Sequence, residues 1–182
     1  MVNNSVLEVR VSRKLLLVLT LVGLLFVAAG LEIGYFQKLL GPDFIQGKPI
    51  IKWIFLFVSL VLGGLISINC FFYLIFPPLM LRVTKETVTF AVGLRYKAFD
   101  VPAKLVERLQ TFSKESDLEV NGVKSIVDGG VEFFLKNDPS IPSQMTTSMG
   151  VVYYNYNLRV LSMYANKSGS EIVEAAKAIL KK

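Results

Sequence analysis

The residues best suited to acid–base or metal chemistry are six carboxylates, Asp100, Glu107, Asp117, Glu119, Asp128 and Glu132. They are scattered, no pair or triple has the spacing of a metal-ligand set, and each reads as solvated surface charge. Histidine, the commonest general base and metal ligand, does not occur in the chain. The one cysteine, Cys70, lies in an apolar run, where a thiol acts as a small packing group, and a single cysteine forms no intrachain disulfide. Neither a Ser/His/Asp nor a Cys/His set can be assembled, and no glycine-rich phosphate loop is present. "DGGV" at 128–131 reads as a turn. An enzyme is therefore not expected, nor a cofactor or metal. A second chemistry is open to Arg82, Lys85, Arg95 and Lys97, which by strand alternation and turn position could form a basic face for an anionic lipid headgroup or another ligand. The plainer reading of these four is a solvated basic surface.

Positioning these groups is the task of two very different halves. The chain has 182 residues, 53% of them hydrophobic, with a net charge of +6 and a mean hydropathy of +0.52. Most of the apolar residues precede Pro77. Two runs, about 15–36 and 53–76, each exceed the roughly 20 helical residues needed to cross a bilayer, and are read as transmembrane helices. The loop between them, 37–52, carries Gly41-Pro42, Gly47 and Pro49, which break helices. Tyr35 and Trp53 suit an interface. Arg10, Arg13, Lys14, Arg82 and Lys85 flank the outer ends, against Lys38, Lys48 and Lys52 around the loop. This bias places both termini in the cytoplasm. A competing reading takes Arg10 to Ala29 as a signal peptide cleaved after small residues. The charge is assigned to cytoplasmic flanks and an anionic lipid surface, since no basic run interleaved with aromatics suggests nucleic acid.

Within the spans, Ser59, Gly63 and Ser67 recur every four residues, and the first span carries Gly23 and Gly30-x-x-x-Gly34. Folding the hairpin at its loop predicts Gly30 near Ser59 and Gly23 near Gly63 to Ser67, a close backbone approach of the kind that pairs helices in lipid. Glu32 and Asn69 are the polar residues of note in these runs, and polar groups in a membrane raise a suspicion of function.

Beyond Pro77-Pro78, a stiff extended joint, the pattern changes to period two. Strands are expected at Leu79–Val83, Thr87–Val92, Leu94–Phe99, Leu105–Phe112, Val131–Lys136, Val151–Tyr156 and Arg159–Tyr164. Turns are expected at Asp100-Val101-Pro102, Asp128-Gly129-Gly130 and Asn137-Asp138-Pro139, with Asn157 beside another. On the first three strands Leu81, Val83, Val88, Phe90, Val92, Leu94 and Tyr96 would share the core face, with Arg82, Arg95 and Lys97 opposite. Ser168 and Glu171 form a capping-box pattern ahead of a helix over 169–181, whose apolar stripe is Ile172, Ala175, Ala176, Ile179 and Leu180. The Asn3-Asn4-Ser5 and Asn166-Lys167-Ser168 acceptor patterns are chance matches.

Two spans, an immediate "PPLMLRVTKETVTF" hairpin, "GLRYKAFDVPAKLVERL", "VEFFLKNDPS" and the tail from "GVVYYNYN" onward resemble bacterial membrane proteins with a pleckstrin-homology-like domain. Val101-Pro102 matches that family's turn, with Ala103 where an aromatic is usual. The resemblance implies a fold class of membrane α-helical hairpin plus α+β pleckstrin-homology-like domain, about seven antiparallel strands capped by a C-terminal helix. The implied domains are a cytoplasmic N-terminal segment 1–13, a hairpin 14–77 and a β-rich domain 78–182. The expected protein is a multi-pass component of the bacterial inner membrane, a non-enzymatic binding or scaffold module. Its expected partners are membrane lipids, with a protein or a second copy of the chain as a further candidate, not nucleic acid. The alternative is an accessory subunit of a larger transport or envelope complex.

Overall fold

The structure, a computed structural model, describes residues 6–36, 49–93, 95–120 and 123–181. Most of the expected loop, with Lys38, Gly41-Pro42, Gly47 and Lys48, lies outside the described residues, as do the core-face position Leu94 and the C-terminal Lys182. The chain divides into two compact units, Arg13–Pro77 and Met1–Ser12 with Pro78–Lys182.

The helical unit holds α1 (Arg13–Leu31), which runs into a π-helical turn at Glu32–Phe36, and α2 (Pro49–Ile75). Pro49 opens α2, where its missing N–H is no loss and its fixed φ suits a first turn. It starts the helix instead of breaking one, so the second apolar helix begins four residues before the expected 53. Gly23 lies against Gly63 and Ser67, Gly30 against Ser59, and Gly34 against Leu56. Rising numbers on one helix meet falling numbers on the other, so the pair is antiparallel. Both helices are long and apolar enough to cross a membrane, and only 22% and 17% of their most apolar stretches are buried. A core helix of a globular domain would have most of that surface covered. Here Leu25, Phe57 and Ile68 stand outward, each about two-thirds exposed (68%, 68% and 70%).

The second unit is built from two antiparallel four-stranded sheets and a C-terminal helix. The first sheet runs in the order β1 (Leu7–Arg10), β2 (Leu79–Val83), β3 (Thr87–Val92), β4 (Lys97–Pro102). The second contains β5 (Val106–Val120), β6 (Val123–Leu135), β7 (Val151–Tyr154) and β8 (Asn157–Leu161), ordered β5-β6-β8-β7. The register puts Leu81, Val83, Val88 and Phe90 on one face, while Met80, Thr89 and Ala91 of the opposite face are buried as well. Val9, Leu81, Val83, Val88, Phe90 and Val101 from the first sheet are buried, as are Leu109, Val131, Phe133, Leu158 and Val160 from the second. Phe90 stacks on Tyr153, ring centroids 5.5 Å apart, joining the two sheets. α3 (Gly169–Leu180) buries Ile172, Val173, Ala176 and Ile179. Its N-terminus is closed by the capping box, with Ser168 Oγ accepting from the Glu171 amide at 3.3 Å and the Glu171 carboxylate accepting from the Ser168 amide at 2.8 Å.

The strands expected at Leu105–Phe112 and Val131–Lys136 are longer, β5 running to Val120 and β6 starting at Val123, and four further expectations change in this unit. First, there are eight strands among the described residues, because the N-terminal segment supplies β1. Leu7 pairs with Val83, Val9 with Leu81 and Arg10 with Leu79. The ladder continues as the Val11 amide donates to Pro78 O at 3.1 Å. On its other side, the Ser12 amide donates to Tyr164 O, and Asn166 exchanges bonds with the Arg10 backbone. That exchange gives the Asn166 amide a structural role within a chance acceptor pattern. Second, the turn before β4 is longer than expected. Gly93 and Tyr96 both take positive φ (66° and 51°), and the Tyr96 amide donates to Gly93 O. This turn resets the alternation by one residue, so Phe99 and Val101 point inward while Ala98 and Asp100 point outward. Third, Asp100-Val101-Pro102 is not a turn, since β4 continues through it paired with Thr87–Thr89. Fourth, Asp128-Gly129-Gly130 is a bulge inside β6. Phe112 pairs with Gly130 and Ser113 with Asp128, which leaves Gly129 as the extra residue. Gly130 adopts φ 128°, and a Cβ there would lie 2.0 Å from Val160 O, so only glycine fits.

β1 should be indispensable to this unit. Residues 78–182 alone would lose the buried side chains of Leu7, Val9 and Val11, each worth about 1.5–3 kcal/mol, out of a typical total of about 5–15 kcal/mol. That fragment should melt far lower or aggregate. Replacing 13–77 by a short turn that joins Ser12 to Pro78 should give a domain that folds on its own. Circular-dichroism melts of the two proteins decide the matter, and equal stability would show β1 to be dispensable.

Candidate functional site

The helix seam is the tightest contact in the helical unit. A Cβ on Gly23 would meet Ser67 Oγ at 2.5 Å and Gly63 O at 2.9 Å, and one on Gly63 would meet Gly23 O at 2.8 Å. At Gly30 the obstacle is the Ser59 Cβ, 2.5 Å away. Ser67 Oγ donates to Gly63 O at 2.8 Å and reaches Thr20 O at 3.4 Å, so its hydroxyl is satisfied within the pair. Gly64, the next residue along, faces open space. Gly23, Gly30, Ser59, Gly63 and Ser67 thus lie together on one seam, with backbones close enough that only small residues fit.

Arg82, Lys85, Arg95 and Lys97 are all exposed, but the register does not gather them. Arg82 projects from the outer face of β2, in the row Glu8–Arg82–Thr89–Asp100. Its guanidinium donates to Glu8 Oε1 from Nε (3.0 Å) and from NH2 (2.7 Å), and Arg10 binds the other Glu8 oxygen at 2.8 Å. The bond from Arg10, helped by Arg82, holds the Glu8 carboxyl below its usual range. Thr89 Oγ1 donates to Asp100 in the same row. Lys97 pairs with Val92, two residues from Phe99, and so has the parity of the core face at the end of the sheet. Lys85 sits in the β2–β3 turn and Arg95 in the β3–β4 turn, at opposite ends of β3. Six strand residues separate these turns, a distance of roughly 20 Å. The four residues are not gathered on one face, because the turn at Gly93–Tyr96 shifts the phase, and Arg82 is tied with Arg10 to Glu8 of β1.

The most concentrated polar constellation lies instead on the outer face of the second sheet. Glu132 of β6 is 4% exposed. Its neighbours across the ladder are Gln110 of β5 and Arg159 of β8. Gln110 Nε2 donates to Oε2 at 2.9 Å, while Asn157 Nδ2 (2.6 Å), Arg159 Nε (2.7 Å) and Arg159 NH2 (2.7 Å) converge on Oε1. Burial pushes this carboxyl upward, but the donors from Asn157, Arg159 and Gln110 outweigh it, and the net shift is downward. Aromatic rings frame the cluster. The Arg159 guanidinium lies 5.4 Å from the Phe112 ring centre, and Arg108 lies 4.4 Å over Phe134. A carboxylate this saturated stays ionised and serves as a fixed anchor for three strands, not as a proton carrier. Sequence reasoning grouped Glu132 with solvated surface charge, since its donors lie 22 to 27 residues away and leave no local signal.

Asp128 is also structural. Its Oδ1 accepts from the Gly130 amide at 2.9 Å and its Oδ2 from the Gly169 amide at 2.7 Å, which ties the β6 bulge to the first turn of α3. Asp138 Oδ1 accepts from the Ser140 amide and hydroxyl at 2.9 and 2.6 Å, an Asx turn after β6. Among the described residues, no three His, Cys, Asp or Glu side chains are grouped so as to hold a metal ion. No protein-family model, curated protein or solved structure matches this chain.

Substitutions at Gly63 and at Glu132 test these contacts. Gly63→Ala should lower the melting temperature of the detergent-solubilised protein, while Gly64→Ala, in open space, should leave it unchanged. Similar melts for both would remove the seam argument. Glu132→Ala should cost about 2 kcal/mol at pH 7, since it leaves buried donors unpaired beside a half-exposed arginine. The Glu132 carboxyl is below its ordinary value of 4.5 in the folded state. Its stabilising contribution is therefore complete above that value and fades as pH falls through the lower folded value. Urea titrations of wild type and Glu132→Gln should differ at pH 7 and converge in acid; a constant difference would contradict the anchoring role.

Proposed function

We propose that this chain is a multi-pass component of the bacterial inner membrane that displays its β-rich unit in the cytoplasm as a non-enzymatic binding or scaffold module. The observation that carries the reading is the β1–β2 ladder. Residues before α1 and residues after α2 build one sheet, so they lie on the same side of any bilayer, and the chain between them must cross an even number of times. Two helices of sufficient length and apolarity occupy that interval. Each presents bare apolar surface that water would penalise and lipid would not. The same ladder argues against a signal peptide, because cleavage within α1 would detach β1 from its sheet. The bias of basic residues toward the outer ends of the hairpin supports a cytoplasmic location for both termini.

Two antiparallel sheets closed by a C-terminal amphipathic helix support a pleckstrin-homology-like classification of the displayed unit. Glu8 and Glu132 are engaged in structural ion pairs and Asp128 in a helix cap, which favours binding over catalysis. Since the basic residues are dispersed, a protein partner is favoured over a specific anionic headgroup.

Topology is tested with single cysteines in a Cys70→Ser background, labelled by a membrane-impermeant maleimide. In intact cells, Gln46→Cys should react, while Ser5→Cys and Ser170→Cys should react only after permeabilisation. Opposite accessibility of Ser5→Cys and Ser170→Cys would overturn the reading at its root. Exposure of both outside the cell would reverse the orientation.

A further inference from the structure

Asn69 is an exposed amide on a helix face that is otherwise hydrocarbon. It lies seven residues beyond the midpoint of α2, about 10 Å along the axis. The hydrocarbon core of a bilayer extends about 15 Å either side of its centre, so on the membrane reading above Asn69 sits below the headgroups. One N–H donates to Leu65 O at 2.8 Å. Among the described residues nothing else meets the amide, which leaves a second N–H and the carbonyl oxygen facing lipid. An unmet amide in hydrocarbon is a cost, and interhelical hydrogen bonding relieves it.

The surroundings of Asn69 specify the partner. Phe55, Val58, Leu62, Leu65, Asn69, Phe72 and Phe76 follow one another at spacings of three and four, and the six apolar members are between 38% and 64% exposed. Other outward stripes of α2 are apolar and exposed too, at Phe57, Ile68 and Phe71 among others, so it is Asn69 that singles this one out. In a/d spacing this stripe has its asparagine at an a position, where a single buried polar residue fixes register and number of strands. It is a different face from the Ser59, Gly63, Ser67 seam, which α1 already covers. A carboxamide both donates and accepts, so it is complementary to itself. Two copies inserted in the same direction bring their Asn69 residues to the same depth, facing each other across a two-fold axis normal to the membrane.

We infer that α2 mediates a parallel homodimer in the membrane, paired along the Phe55–Phe76 seam with Asn69 bonded to Asn69 of a second copy. The inference rests on the membrane reading, and the test separates the two. In a Cys70→Ser background, full-length Leu65→Cys and Ile68→Cys are oxidised with copper phenanthroline in native membranes. Both positions are exposed and similar in depth, but only Leu65 lies on the seam. Leu65→Cys should form a disulfide-linked dimer and Ile68→Cys should not. Adding Asn69→Leu should lower the dimerisation constant in mild detergent by about 3- to 30-fold, the range expected for interhelical polar bonds, and Asn69→Gln should largely restore it. Equal cross-linking at both positions overturns the inference, as does dimerisation unaffected by Asn69→Leu. Failure to cross-link while the protein resists carbonate extraction also overturns it, leaving the membrane reading intact. Release by carbonate overturns both.

Discussion

The ladder between β1 and β2 is the constraint on which the rest of the structure depends. It is short, four residues against five, yet it unites segments separated by both apolar helices. Buried Val9 and Val11 and the backbone bonds to Pro78, Tyr164 and Asn166 lock the segment into the fold from both sides. On the membrane reading proposed above, this strand links the fates of the two apolar helices, because it and its partner β2 must end on one side of the bilayer. The tight Gly23–Gly63 and Gly30–Ser59 approaches are the helical counterpart of that pairing.

Three carboxylates, Glu8, Asp128 and Glu132, are engaged in holding the fold together. Glu8 bridges Arg10 and Arg82, Glu132 collects four donor bonds from three side chains, and Asp128 bonds a strand bulge to a helix terminus. Each joins elements far apart in sequence. Their chemistry is positional, and it stiffens the outer faces of both sheets, where a two-layer fold has no hydrophobic core to do so.

Local signals were legible in the sequence and non-local ones were not. The two apolar runs, the Leu79–Val83 and Thr87–Val92 strands and the Ser168–Glu171 capping box could be read because each is encoded within a few residues. β1 could not, because Leu7, Val9 and Val11 alternate over too short a stretch to stand out beside the adjoining apolar run, and their partners lie beyond α2. The phase of β4 was lost at a turn whose left-handed residue, Tyr96, carries no glycine signal. At Asp128–Gly130 the residues typical of a turn form a bulge instead, because Phe112 and Ser113 on β5 continue to pair on either side. Glu132 read as surface charge because nothing local distinguishes a buried acid from an exposed one. The small-residue seam was visible as spacing, while its partner positions depended on where the hairpin folds.

The β1–β2 ladder also sets an order of events during synthesis. β1 leaves the ribosome first and β2 only after both helices have emerged, so the first sheet cannot close until the whole hairpin has been made. On the membrane reading proposed here, closure is blocked when one helix has been inserted and the other has not, because the two strands are then on opposite sides. Until then β2 offers an open edge and β1 is an unpaired apolar segment, the features that attract proteases and drive aggregation. Correct insertion is thereby recorded in the folded state of a domain outside the bilayer, so that a chain with one helix misplaced carries its own mark for removal.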